Sequence, residues 1–247
     1  MSKYFIDINC DVGEGVKNED KLFPFISSCN VACGGHIGNT ESMSATVTLA
    51  KANNVKIGAH PAYPDQLNFG RVSMEISESV LVKSIQEQIA DLHKVCMDKG
   101  AELVHIKPHG ALYNDIAKDE SLAALFLRAI EPYRSRLFLY VPYGSKIETL
   151  AETEGFKVKR EAFADRNYNN DLSLVSRRNE NAIIRNPKEV MEHLILIIKE
   201  HKVRTVSKDI KTLFADTYCV HGDTPEALQI LMYLSEEMPN QHIFFKK

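Results

Sequence analysis

A closed barrel of parallel strands wrapped by helices, an α/β fold of the (β/α) type, is what this sequence predicts, on three observations. Short apolar runs alternate with stretches of helical spacing, each run is followed by its own polar cluster, and no linker or composition shift divides the chain. Strand then helix, repeated, builds a parallel sheet from right-handed crossovers. The clusters NCDVGE, CGGHIGN, HPAYPD, KPHGALYN, PYGS, FADRNYN and HGD all sit where strands end. Strand ends converge on one place when the sheet closes, whereas an open sheet focuses its chemistry at a single switch point. The 247 residues therefore read as one domain, long enough to bury a core without disulfide or metal staples.

The elements follow in order. Tyr4–Ile8 is the first candidate strand; alternation puts Phe5, Asp7, Asn9 and Asp11 on one face and Tyr4, Ile6 and Ile8 on the other. Ser28–Ala32 is the second, and CGGHIGN leads from it into a helix starting near Asn39 or Thr40. Val55–Ala59 precedes a helix marked by Val80, Ile85, Ile89 and Leu92, which stops at Gly100. Leu103–Lys107, Leu137–Val141 and Lys157–Glu161 are further strands. Asn186, Pro187 and Glu189 supply an N-cap, a proline at the first helical position and a first-turn carboxylate, predicting helix through Met191–Lys199. VRTVSKDIKTLF, from Val203 to Phe214, reads as a small hairpin insertion around Lys208 and Asp209. Thr217–Val220 is the last strand, and Asp223–Thr224–Pro225–Glu226 opens the last helix.

Composition excludes several classes. A net charge of -3 without a Lys/Arg run leaves no electrostatic footprint for nucleic acid or an anionic membrane. The N-terminal stretch has no charged-then-apolar signal pattern, and no apolar run approaches the roughly 20 residues of a membrane span, so a cytoplasmic location is expected. Five cysteines (Cys10, Cys29, Cys33, Cys96, Cys219) without a CxxC pair argue against a disulfide framework or a cysteine zinc site.

Parity sends polar residues to one mouth. Asn9 and Asp11 share a face, as do Asn30 and His36 with Ala32 and Gly34, His60 with Gly58, and His105, Lys107 and His109 with one another. Burying such groups unpaired costs several kcal/mol each, so they satisfy one another, a metal or a ligand. Any one histidine has the ordinary alternative of capping a loop, but five of nine (His36, His60, His105, His109, His221) fall at strand ends. Asp11 and Glu14 are candidates for general base or metal ligand. Lys107, Arg71 and Arg166 are candidates for holding a substrate carboxylate or phosphate, with plain salt bridges as the alternative for the arginines. The Gly34–Gly35 turn offers backbone N–H groups to an oxyanion, and Cys33 beside His36 allows a cysteine nucleophile on paper. Asp11, His36 and His60 supply a donor set suited to a divalent metal such as zinc or manganese.

At these same segments the chain resembles the LamB/YcsF family, the A subunit of the bacterial ATP-dependent 5-oxoprolinase. The matching motifs are DINCDVGE at 7–14, NVACGGHIGN at 30–39, GAHPAYPD at 58–65, FGR at 69–71, HIKPHGALYN at 105–114, FADRNY at 163–168 and ADTYCVHGD at 215–223. The resemblance implies a seven-stranded (β/α) barrel similar to that of glycoside hydrolases and polysaccharide deacetylases. It also implies hydrolysis of 5-oxo-L-proline to L-glutamate, driven by ATP and performed with partner subunits B and C. The chain departs from the pattern at Gly35, Asn39 and Val72, where the family usually has Phe, Asp and Arg, and in lacking a glycine within 169–173. Asn39 cannot serve as an anionic base.

With no GxxxxGK[ST] loop in the sequence, ATP is expected to be handled with the partner subunits, which activate the lactam carbonyl. In this reading Asp11, His60 or His109 positions or deprotonates water, while Lys107 and the Gly34–Gly35 turn stabilise the oxyanion. Asn9, Glu14, Asn30, His36, Arg71, Asp165, Arg166 and His221 complete the substrate-binding candidates. Two rivals stay open: a stand-alone metal-dependent amidohydrolase or deacetylase, which turns over without ATP, and a non-catalytic binding subunit, whose mouth substitutions weaken affinity alone.

Overall fold

A computed structural model describes residues 2–246. Seven parallel strands close into a barrel: β2 (Ile8–Val12), β3 (Ser28–Ala32), β4 (Lys56–His60), β5 (Leu103–Ile106), β6 (Phe138–Pro142), β7 (Lys157–Phe163) and β10 (Thr217–Cys219), with β10 returning to pair with β2. Around them run α1 (Thr40–Ala52), α2 (Glu78–Asp98), α3 (Gly110–Ile116), α4 (Glu120–Ile130), α5 (Lys146–Thr153), α6 (Pro187–Glu200) and α7 (Ala227–Glu237).

The first strand departs from expectation. Tyr4–Ile6 (β1) leaves the barrel and pairs in parallel with β11 (Ile243–Phe245), so the barrel strand begins at Ile8. Phe5 does not face inward with Asp7: it is 59% exposed and its ring packs on Phe244. The alternating pattern runs straight through Asp7, but its two halves serve different sheets. The hairpin forms as expected, β8 (Lys202–Arg204) antiparallel to β9 (Ile210–Thr212), with Lys208 in the left-handed region of the turn.

Apolar residues fill the shell between strands and helices rather than the barrel interior. Ile8, Cys10 and Val12 of β2 and Cys29 and Val31 of β3 are fully buried outward, against helix faces such as Met43, Val47 and Ala50 of α1. Along α2 the buried seam is Leu81, Ile85, Ile89 and Leu92; Val80, expected on it, is 53% exposed, one position off the seam. Gln88 joins that seam for a reason: its side-chain amide accepts from the Ala62 N–H and donates to the Ala62 carbonyl, fixing the loop that follows β4.

Asn39 is the N-cap of α1. Its carboxamide oxygen accepts from the Ser42 N–H while the Ser42 hydroxyl accepts from the Asn39 N–H, a reciprocal cap that needs no negative charge. Asn186 caps α6 in the predicted manner. The last helix starts later than expected, at Ala227, because the Thr224 hydroxyl donates to Asp165 instead of capping the turn.

Candidate active site

Inside the barrel the side chains are polar, and they form one connected hydrogen-bonded stack. At its floor Asp7 Oδ1 accepts from the hydroxyls of Ser28 and Thr217, and Lys56 reaches Oδ2 at 3.3 Å. One layer up, Asn9 Nδ2 donates to Glu161 Oε1 and to Thr217, Asn30 Nδ2 donates to Asn9 and Asp11, and His105 Nε2 donates to Asn30 Oδ1 at 2.7 Å. Gly58 is required here, because a Cβ on it would drive into the His105 ring. Lys107 is the hub. Its ammonium lies 3.0 Å from Asp11 Oδ1, 2.9 Å from Glu161 Oε1, 3.3 Å from Asn9 Oδ1 and 3.2 Å from Cys219 Sγ. Burial disfavours its charge, but Asp11 leads the groups that overcome this and keep it protonated.

Above the hub, Asp11 is flanked by two histidine groups. In the first, His60 Nδ1 donates to the Lys107 carbonyl at 2.7 Å, and His109 Nε2 donates to the Phe69 carbonyl at 3.0 Å. A carbonyl only accepts, so each ring spends its one neutral N–H there. The remaining nitrogens, His60 Nε2 and His109 Nδ1, then face each other bare at 2.9 Å. Two lone pairs at that distance repel, so the pair demands a shared proton or a cation. Burial, then His60 and His36, hold His109 well below the ordinary imidazole range. Phe69 sits in the left-handed region at φ 55°, which turns its carbonyl onto His109.

In the second group, His221 Nδ1 donates to Asp165 Oδ1 at 2.9 Å. Asp165 is fully buried and also accepts from the His221 N–H and the Thr224 hydroxyl. That fixes the tautomer with Nε2 as the basic nitrogen, and the ring stacks on Phe163. Asp11 serves both groups: its carboxylate lies within 4.8 Å of the His60 and His109 ligand nitrogens, and within the same distance of His221 and Cys219. Burial would raise the Asp11 carboxyl, but His60 and Lys107 hold it well below the usual carboxylate range. It is an anion at any working pH, too weak a base to take a proton from water.

The structure brings Asp11, His60, Lys107, His109 and His221 together and disperses several other candidates. Asn9 and Asn30 are fully buried in the layer beneath and brace Asp11 rather than face a substrate. Lys107 has its protons committed to Asp11, Glu161 and Asn9 or Cys219, so it is no free oxyanion donor. Arg166 donates to the carbonyls of Ala182 and Val175, pinning the loop after β7. Arg71 pairs with Asp223 at 2.5 Å on the rim, where Arg177 joins it. The Gly34 N–H is taken by the Ile37 carbonyl, and Gly35 is pressed on Gln88 and Ala62, so this turn offers no ready oxyanion pocket. Asp165 acts on His221 and not on solvent. Burial pushes the Cys33 thiol up to about 12, which removes it as a nucleophile.

The metal candidates are also regrouped. His36 stands with Glu14, its Nε2 donating to Oε1 at 3.0 Å, and its ring stacks on His109. The convergent set is Asp11, His60 and His109, with His109 in the place assigned to His36. This set fits a divalent ion: two bare imidazole nitrogens face each other, and Asp11 Oδ1 gathers Asn30, Lys107 and His60, leaving Oδ2 with no partner among the described residues. A second overlapping group joins Glu14 and His36 to His109. One residue of the site, Glu161, is not among the candidates drawn from the sequence. Glu161 shares strand parity with Lys159 and Phe163, so continuing the alternation along β7 would have found it.

Comparison with known proteins agrees with this architecture. The chain is 38% identical to the 5-oxoprolinase A subunit of Pyrococcus furiosus over 243 residues, 96% of this chain and 95% of that one. It is 38% identical to the 5-oxoprolinase A subunit of Oceanobacillus iheyensis, over 99% of this chain and 97% of that one. Among solved structures it superposes on the lactam utilization protein of Thermus thermophilus with a TM-score of 0.89 at 31% identity, covering 98% and 99% of the two chains. The LamB/YcsF family model matches residues 6–247, and the chain belongs to the LamB/YcsF family.

Proposed function

We propose that this chain is the A subunit of an ATP-dependent 5-oxoprolinase, hydrolysing the lactam 5-oxo-L-proline to L-glutamate. The substrate comes from the full-length relatives; the hydrolytic chemistry rests on one observation, an ionised Asp11 held between two separately anchored histidine groups. Opening a lactam with water needs a base for the water, stabilisation of the tetrahedral oxyanion and an acid for the departing ring nitrogen. The His221 imidazole supplies base and then acid, and Asp11 Oδ2 accepts a hydrogen bond from the attacking water. His221, whose tautomer Asp165 sets, takes the water proton. As the C–N bond breaks, His221 returns that proton to the ring nitrogen, giving the free amine and carboxylate of glutamate. Lys107 keeps Asp11 ionised and in place.

A divalent ion, if this protein uses one, would be held by Asp11, His60 and His109, where it would polarise the carbonyl and acidify water. ATP is assigned to partner subunits B and C.

The test is glutamate release from 5-oxoproline, with and without ATP, by this chain alone and with subunits B and C. Release only from the complete mixture with ATP supports the reading. Release by the chain alone without ATP sinks it in favour of a stand-alone amidohydrolase, and mouth substitutions that weaken binding at an unchanged maximal rate favour a purely binding role.

A further inference from the structure

We propose that Arg71 and Arg177 form a clamp for the carboxylate of a carboxylate-bearing lactam, a place that Asp223 fills with the chain's own carboxylate. The inference rests on the 5-oxoprolinase reading and adds to it the residues that tell 5-oxoproline from a plain lactam ring.

A lactam amide is neutral, so only the carboxylate on the carbon next to the ring nitrogen gives 5-oxoproline a charge to be recognised by. Among the cations around the centre, Lys107 is held by Asp11 and Glu161, and Arg166 by backbone carbonyls. The rim differs. Arg71 Nη2 donates to Asp223 Oδ2 at 2.5 Å, while Arg177 donates through Nη1 to Oδ2 at 3.0 Å and through Nη2 to Oδ1 at 3.3 Å. Neither arginine has a second ion-pair partner among the described residues, so two guanidiniums share one carboxylate and one positive charge stays unmatched. Arg177 grips the carboxylate with the two-pronged fork suited to it, and Arg71 adds a third hydrogen bond. That is the geometry of a carboxylate receptor, and the two arginine side chains are 39% and 28% exposed, open to exchange with a dissolved carboxylate.

The clamp stands over the catalytic centre. In the ring of strands β4 and β10 are not neighbours, with β2 and β3 between them on one side and β5, β6 and β7 on the other. The ion pair of Arg71, after β4, with Asp223, after β10, therefore reaches across the mouth. On one side the Arg71 guanidinium lies 4.9 Å from the centre of the Phe69 ring, which meets His109 edge-on at 5.6 Å. On the other, Asp223 closely follows His221 in the chain, and the two interact electrostatically. A carboxylate in the clamp thus lies between the His109 and His221 groups, and 5-oxoproline carries its carboxylate one carbon from the C–N bond that must reach Asp11. The entering carboxylate takes over the guanidinium hydrogen bonds that Asp223 gives up, and Asp223 turns to water.

The experiment measures binding of 5-oxo-L-proline and of 2-pyrrolidinone, the same ring without the carboxylate, to the full chain, together with glutamate release by the complete complex. The wild type prefers 5-oxoproline by about tenfold or more. Arg71→Met and Arg177→Met each lower 5-oxoproline affinity by about 10–100-fold and leave that for 2-pyrrolidinone within about threefold. Asp223→Asn has the opposite sign: it removes the competing charge and tightens 5-oxoproline by about 3–10-fold, whereas a purely structural ion pair predicts loss in all three variants. If the variants do not fold, the wild type decides: raising KCl from about 0.05 to about 0.5 M must narrow the preference by about threefold or more, since the clamp is open to solvent. Weaker or unchanged 5-oxoproline binding in Asp223→Asn, a preference retained in both arginine variants, or one indifferent to salt overturns the clamp, and glutamate release by the wild-type complex then leaves the function standing. No glutamate from the wild-type complex overturns the function and the clamp with it.

Discussion

The two histidine groups beside Asp11 use the same ring for different ends. His221 is anchored by a carboxylate, which fixes its tautomer and leaves Nε2 as the nitrogen open to a proton. His60 and His109 are anchored by backbone carbonyls, which fix each tautomer but lend no charge, and their bare nitrogens are turned on each other. The anchoring partner, and not the histidine, decides whether a site takes a proton or shares one.

Removing what the two groups share has the largest effect. Asp11→Asn is expected to lower glutamate formation by the complete complex by about 10³-fold or more, as it neutralises the charge both groups face; near-wild-type turnover would dissolve the catalytic centre. Next, Asp165→Asn releases the His221 tautomer and is expected to reduce kcat by about 10²–10³-fold with little change in KM. An equal loss of affinity and rate would make Asp165 a folding residue. A third measurement separates the groups directly: Zn²⁺ titrated into the chelator-treated chain is expected to bind, with His109→Ala weakening it by about 100-fold and His221→Ala leaving it within about threefold. Equal weakening by both would merge the two groups into one.

His105, outside both groups, is the control for burial. Desolvation lowers its pKa to about 3, against the opposing influence of Asp7, whereas an unfolded histidine titrates near 6.5. The unfolded chain therefore binds the extra proton. The contribution of His105 to stability is complete above pH about 6.5 and falls by about 1.4 kcal/mol per pH unit toward the folded pKa. Urea unfolding from pH 7 to 4 should show this slope, and a folded His105→Gln variant should flatten it. The smallest effect belongs to Asn39: alanine there should cost about 1 kcal/mol of stability and aspartate almost nothing, since the cap needs only an accepting oxygen.

Much of the barrel was legible. Strand alternation placed Asn9, Asp11, Asn30, His60, His105 and Lys107 inward, because period two is a local property of the chain. Phe5 broke the rule because its strand pairs with Ile243–Phe245 at the far end of the sequence, a partnership no local pattern records. The same limit explains the site. That His60 meets His109 rather than His36, and that His221 leans on Asp165, depends on loops and on register between strands. For Arg71 the plain salt bridge, the stated alternative, is the one that forms, with Asp223, while Arg166 donates to carbonyls of its own chain, which sequence cannot distinguish from a substrate's.

The polar barrel interior bears on how this protein can evolve. An oil-like core accepts a leucine for a methionine because neither atom type nor direction matters much. Here each inward residue from Asp7 to Glu161 matches donors to acceptors on neighbouring strands, so one substitution strands a partner on another element. Divergence should run slowly through the inner ring of side chains and quickly through the apolar shell outside it, the reverse of the usual gradient around a barrel.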